Sequence, residues 1–524
     1  MPKSPSDEVF LLIQSLSKPE KRYFKFYAAI GSSNENNIYR RMFDVIEAMK
    51  QYDEKKILHK IPEAKSQQLS NQKKYLRELV LDSLRIYHSR RSISAELWTS
   101  IEEIQVLYNK RFFNLCLKYI TKSKIIAHKF EKYQQLAVLL TIEERILFEK
   151  ASSERDEENT ETVYKEISWV YQELTRYNIY KRLQNQSAKF FRKGALMIES
   201  SLIEELSTLR KHPLLKSESE AKGFYQRVCY YTIFGNIYNI LAFSTFKESD
   251  WNTSYLFRKR LMKLFEKEPH HIIENPTLYL QSVNVFLISC IHTKKENELE
   301  KLFKQVMIQK KNDVFLAQIN VTRNLLLCCS TVLFFYVSSG KFREGVLLLQ
   351  EIEIYFNRIN DKISSASQKS FYLTFSLVYF GVGNFKRSLF WLNKILNDRR
   401  SEAREDIQIV AHLFNLIIHF ELGHEGQLDH FTKETYRFLS NRNRRYKTES
   451  IVRTFIRKEI PHINSHAQLL QAFKELKQKM EPLQNDPKER IVFEYFDFIS
   501  WLDSKIQKRS LSEVVRKKYL SGKK

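Results

Sequence analysis

Two stretches of this chain, FYVSSGKFREGVLLLQEI at 335–352 and YFGVGNFKRSLFWLNKIL at 379–396, follow one pattern at a spacing of 43 residues. Aligning Gly340 with Gly383 also pairs Tyr336 with Tyr379, Phe342 with Phe385, Gly345 with Ser388, Leu349 with Leu392 and Ile352 with Ile395. A weaker third copy, HFELGHEGQLDHF, puts Gly423 at the same place 40 residues on. Apolar positions three and four apart on each side of the glycine are the signature of two helices joined by a tight turn. Gly381-x-Gly383-x-x-Lys386 could instead be read as a phosphate loop. A phosphate loop needs a preceding buried strand and either a G-K-[ST] ending or a third glycine, and this stretch has none of these. Gly340, Gly383 and Gly423 are therefore read as repeat hinges, positions where the chain reverses.

Composition supports helices throughout. Only 11 glycines and 10 prolines serve 524 residues, whereas a doubly wound α/β enzyme needs glycine at many strand-to-helix turns. Most prolines stand at joints, as in KIPEAK (60–65), KHPLL (211–215) and EIPHI (459–463). Ser17 and Glu20 in SKPEKR have capping-box spacing, with Pro19 in the first turn of the helix they begin. Five scattered cysteines without a CxxC pair predict a reducing compartment, the cytoplasm. The N-terminal stretch lacks the features of an export signal, and the longest apolar run, LLLCCSTVLFFYV at 325–337, is shorter than a membrane span. A soluble protein is expected.

The positions Tyr372, Phe375, Ser376, Tyr379, Gly383, Phe385, Ser388, Leu392 and Ile395 resemble the tetratricopeptide repeat. Val332, Leu333, Tyr336, Gly340, Gly345, Leu349 and Ile352 fill comparable places in the preceding copy. Cys329 stands where that motif favours Trp, the closing proline is missing, and the spacing exceeds the usual 34 residues. The chain is thus similar to a divergent, long-helix relative, of the kind found among uncharacterised tetratricopeptide-type proteins of bacteria. The fold expected is an all-α solenoid of stacked antiparallel helical hairpins. It would comprise an N-terminal helical unit (1–95), divergent repeats (96–300), tetratricopeptide-like repeats (301–480), and a capping helix with a basic tail (481–524). The expected function is a non-catalytic scaffold or adaptor that holds a protein or peptide partner in a helical-repeat groove. The resemblance would place groove-facing residues at Leu373, Leu377 and Phe380, where the family's carboxylate clamp carries Lys, Asn and Arg. No such clamp is expected, and the groove should be apolar or filled.

The net charge of +25 raises a second possibility, a nucleic-acid-associated regulator. The excess is patchy: +9 over 1–150, +1 over 151–300, +9 over 301–400 and +6 over 501–524. Candidate polyanion contacts are Lys18, Lys21, Arg22 and Lys25 on one helix, and Arg442, Arg444 and Arg445 in a later cluster. DEKKILHKIPEAKSQQLSNQKKYLREL could form two helices joined by a turn, with Lys73, Lys74 and Arg77 on the second. A basic helix face is more commonly just solvated, and the tail ending in Arg516, Lys517 and Lys518 reads as a mobile end. Two groups carry metal-capable residues: His419, Glu421, His424, Glu425, Asp429 and His430, and His270, His271 and Glu274. Neither has a zinc-site spacing such as HExxH, and both read as polar turns. No nucleophile elbow or cysteine signature is present, and Cys328 and Cys329 read as core. No cofactor, metal or catalytic residue is expected.

Overall fold

The computed structural model describes residues 7–521 apart from 31–37, 65–66, 90–91, 151–153, 193–199, 246, 310–317, 399–403, 441–445, 464 and 487–488. The described residues are helical, with no strand among them. They divide into two compact units, Met1–Ile179 with Gly223–Tyr225, and Tyr180–Lys222 with Gln226–Lys524.

The first unit opens with α1 (Glu8–Ser15), α2 (Lys18–Ile30), α3 (Ile38–Glu47), α4 (Glu54–Lys60) and α5 (Leu69–His88). The capping box forms as expected, with both the N–H and the hydroxyl of Ser17 donating to Glu20 at 2.7 Å. Phe24 of α2 stacks on Phe43 of α3 at 4.2 Å, inside a core that includes Ile13, Met42, Ile46, Leu76 and Val80. Next come α6 (Ile93–Asn109), α7 (Phe113–Lys129), α8 (Tyr133–Lys150) and α9 (Glu154–Arg192). α7 packs against both α6 and α8. Val163 and Val170 of α9 close over Leu97, Ala127, Leu136 and Leu140. Lys124 ties α7 to both later helices, bonding Glu143 at 2.8 Å and Glu166 at 2.6 Å.

In the second unit α10 (Ser200–Arg210), α11 (Phe224–Thr245), α12 (Glu248–Lys267), α13 (His270–Glu274), α14 (Pro276–His292) and α15 (Glu296–Gln309) lead into the repeats. The first repeat is α16 (Ile319–Ser338) with α17 (Phe342–Ile359), the second α18 (Ser365–Gly381) with α19 (Phe385–Leu396), and the third α20 (Glu405–Glu421) with α21 (Glu425–Ser440). α16 has the length and hydropathy to cross a membrane. Here it packs against α14, α17 and α18, with Val321, Leu325, Cys328, Cys329, Val332 and Phe335 buried. The first helices of successive repeats touch one another, α16 to α18 and α18 to α20, and α14 touches α16 ahead of them. Every residue of Phe371–Phe380 is buried, as is every residue of Ile407–His419. Helices apolar on all sides need cover on all sides, and the C-terminal helices help supply it. These are α22 (Lys447–Thr454), α23 (His466–Met480), α24 (Arg490–Tyr495), α25 (Phe498–Gln507) and α26 (Leu511–Leu520).

One turn builds the three repeat hairpins. Gly340, Gly383 and Gly423 have φ of 74°, 76° and 69°. In each case the following N–H reaches back to the carbonyl five residues earlier: Lys341 to Tyr336 at 2.8 Å, Asn384 to Tyr379 at 2.9 Å and His424 to His419 at 3.1 Å. This bond and a left-handed residue define the Schellman ending of a helix. The same ending occurs where the sequence carries no glycine. Arg111, Glu131, Lys294 and Lys508 have φ of 62°, 51°, 55° and 52°. The matching bonds run from Phe112 to Leu107, Lys132 to Ala127, Lys295 to Cys290 and Arg509 to Ser504. These turns join α6 to α7, α7 to α8, α14 to α15 and α25 to α26.

Gly381, the first glycine of GVG, has a different task. A Cβ there would overlap the ring of Phe342, so the second repeat requires a bare backbone where the first repeat's phenylalanine lies against it. Nearby, Ser376 and Ser388 bring α18 and α19 close, each hydroxyl donating to the other's carbonyl at 2.8 Å.

Candidate functional site

A recess of about 820 Å³ lies in the second unit where the hairpin turns meet the C-terminal helices. The first turn of α17 forms one wall (Gly340–Glu344), and the α18–α19 turn forms the next (Phe380–Phe385). Glu421 at the end of α20, Trp501, Ser504 and Lys505 of α25, Lys508 and Arg509 of the turn after it, and the first turns of α26 to Arg516 complete it. Phe342, Phe380 and Trp501 pack beneath it, each 3% exposed or less.

α26 is what turns an exposed row of hairpin turns into a recess. Its charge alone would leave it a solvated end. Instead Ser510 and Glu513 make a reciprocal capping box, and Val514 and Val515 are buried. The Ser512 hydroxyl donates to the Gly340 carbonyl at 2.7 Å, and the Tyr519 ring lies 6.2 Å from Phe335.

Charged side chains stand among the apolar ones in the lining. Lys341 is held by Glu296 and by Glu300, the latter at 2.8 Å. Burial opposes its charge, but those carboxylates overcome the penalty and raise its pKa above the ordinary lysine value. Lys505 pairs with Glu421 at 2.5 Å, and the other oxygen of that carboxylate accepts the Trp501 indole N–H at 2.6 Å. Arg343, Lys508, Arg509 and Arg516 also line the recess, and no ion pair engages them among the described residues. Nη1 of Arg516 is buried without a hydrogen-bond partner. Lys341, the residue before α17, leaves the helix's first amides without a side-chain cap. Those N–H groups therefore add partial positive charge at the same wall.

The residues singled out in the sequence fall in several places. Leu373, Leu377 and Phe380 are buried at 2%, 3% and 3% exposure. The surface they were expected to offer is filled. Phe496 of the C-terminal segment packs on Phe380 at 5.4 Å and on Phe414 of α20 at 4.6 Å. Gly340 and Gly383 line the recess, and Gly423 does not.

Among the basic residues of α2, Lys21 reaches Glu47 at 3.4 Å, and Lys25 reaches Asp44 and Glu47, both at 2.8 Å. Lys18 and Arg22 line a shallower recess of about 470 Å³ with Pro19, Tyr23, Phe26 and Tyr87. The expected helix–turn–helix stretch forms α4 and α5, but Lys73 turns inward to Tyr52 and Glu54, and Arg77 pairs with Glu8. Arg442, Arg444 and Arg445 lie outside the described residues.

Of the metal-capable groups, Glu268 joins His270 and His271 with ligand atoms within 4.8 Å of one another. Glu268 is also held by Arg227 at 2.9 Å, a cation where a metal would compete. His419 and His424 meet through their Nδ1 atoms at 2.9 Å, while Glu421 belongs to Lys505. All five cysteines are buried, and burial pushes the thiols of Cys229 and Cys290 up to about 12. That favours the protonated, unreactive form.

Reading the sequence missed Arg343, Lys505, Lys508 and Arg509 as one group. The available signal was the coincidence of a +9 segment at 301–400 with a +6 segment at 501–524. Compared with known protein families, curated proteins and solved structures, the chain matches none.

Proposed function

We propose that this protein is a non-catalytic scaffold or adaptor of the cytoplasm, whose hairpins stack as a tetratricopeptide-like solenoid and whose partner is a protein or peptide. Repeated hairpins need neighbours to cover their apolar faces, and such stacks characteristically offer binding surfaces. The observation that carries the reading is the 820 Å³ recess between the turns of consecutive repeats and α25–α26. Its volume lies within the range typical of ligand sites, and buried aromatic walls with a few convergent polar groups are the usual make-up of one. The partner's seat is thus moved from Leu373 and Leu377, which are buried, to the turn end of the hairpins, where Phe380 stands in the wall of the recess. Lys21, Lys25, Lys73 and Arg77 are engaged by acids within their own unit, which weakens the alternative of a nucleic-acid contact there.

A photo-reactive amino acid at Val382, which lines the recess and is 40% exposed, tests the seat. Irradiated cells should yield cross-links to protein that survive nuclease treatment. Cross-links no more frequent than from equally exposed Tyr436 of α21 would reject it.

A further inference from the structure

We infer that the recess selects an acidic peptide segment, one that alternates carboxylate and apolar side chains. This inference rests on the proposed binding role and narrows it to a partner chemistry.

The charge inventory leads there. Six cations line the recess: Lys341, Arg343, Lys505, Lys508, Arg509 and Arg516. Two are already satisfied, Lys341 by Glu296 and Glu300 and Lys505 by Glu421. Of the three lining acids, Glu421 is consumed by Lys505, and Glu513 folds back to accept the Ser510 N–H at 3.1 Å. Arg343, Lys508, Arg509 and Arg516 remain, opposed by Glu344 and by Glu513, whose capping bond leaves its charge in place, so cations stay in excess. Four cations in one concavity repel one another, and a bound anion removes that repulsion. The uncapped first turn of α17 supplies further donors on the same side.

Shape decides between the polyanions. A nucleic-acid backbone calls for a groove or stripe that tracks successive phosphates. Here the cations surround one bounded recess whose walls include Phe342, Phe380, Phe385 and Leu511. Apolar walls between guanidinium groups suit side chains of alternating character, and the guanidinium fork matches a carboxylate.

Fluorescence anisotropy on the full chain tests this with two fluorescein-labelled nonapeptide pools. One alternates Asp or Glu with Leu or Phe, and the other replaces the acids by Asn or Gln. The acidic pool should bind at least tenfold more tightly, and raising salt from 50 to 500 mM should weaken it at least tenfold. R343E combined with K508E should remove that preference with the circular dichroism spectrum unchanged, since both side chains are exposed. K18E combined with R22E, in the other unit, should leave it intact. Equal binding of the two pools, an unchanged preference in the R343E/K508E protein, or displacement of the acidic pool by equimolar oligothymidylate would overturn the inference. Cross-linking from Val382 keeps the two proposals apart. Specific cross-links alongside equal pools sink the acidic selection alone, whereas their absence sinks the seat itself.

Discussion

Gly340 and Gly383 end two helices with the same turn, 43 residues apart, yet their surroundings differ completely. A Cβ at Gly383 would meet nothing within 4 Å, while one at Gly340 would lie 2.7 Å from the backbone of Ser512 and Arg516. The first hinge is roofed by α26 and the second is open, so the recess has a closed end and an accessible end. Identical local geometry therefore leaves the use of each turn undecided, and what the rest of the chain lays over it decides.

Substitutions can break this contrast. Gly340→Ala combines a left-handed alanine with a collision against backbone, and should cost about 3 kcal/mol. Hydrogen exchange should show 511–520 losing protection, and retained protection would refute the close approach. Gly381→Ala removes room from Phe342 without any demand on φ, and should cost about 2 kcal/mol in urea denaturation with α26 still docked. Gly383→Ala meets only the backbone penalty, about 1 kcal/mol, with binding in the recess preserved.

The third hinge sharpens the comparison through pH. Burial, with His424 beside it, lowers the His419 pKa to about 4. The folded protein thus disfavours the imidazolium relative to the unfolded chain, where the pKa is about 6.5. The resulting stability is complete above pH 6.5 and is lost as the pH falls toward 4. The urea midpoint should drop between pH 7.5 and 5.0, and His419→Phe, which keeps a ring against Phe431, should flatten that dependence. The smallest effect is expected at Lys294, a left-handed residue without glycine's freedom. Lys294→Gly should stabilise by about 0.5 kcal/mol, and a loss would show that its side chain earns the strained backbone.

Those four non-glycine turns explain how far the sequence could be read. Periodicity and three glycines disclosed the helical class and the hairpins near 340, 383 and 423. Arg111, Glu131, Lys294 and Lys508 make the same turn with residues that carry no such signal. Glu131 shows why a glycine would not serve at one of them. Its carboxylate accepts the N–H groups of Phe224 and Tyr225 at 2.5 and 3.1 Å, contacts distant in sequence. The recess was illegible for a related reason. Its cations come from residues 341–343 and 505–516, each half reading as an ordinary basic stretch until α26 brings them together. Leu373, Leu377 and Phe380 were legible as apolar, but Phe380 is covered by Phe496, which no local pattern links to it.

That long-range closure has a consequence for the order of events during synthesis. Ser512 meets Gly340 across 172 residues, and Tyr519 reaches Glu296 across 223. The repeats can assemble from neighbouring contacts as the chain emerges, whereas the recess lacks the wall that faces the hairpin turns until residues 501–516 have left the ribosome. A nascent chain therefore exposes the hairpin turns without the site they help to form, and a partner that needs both walls can be captured only by a protein whose synthesis has passed that point.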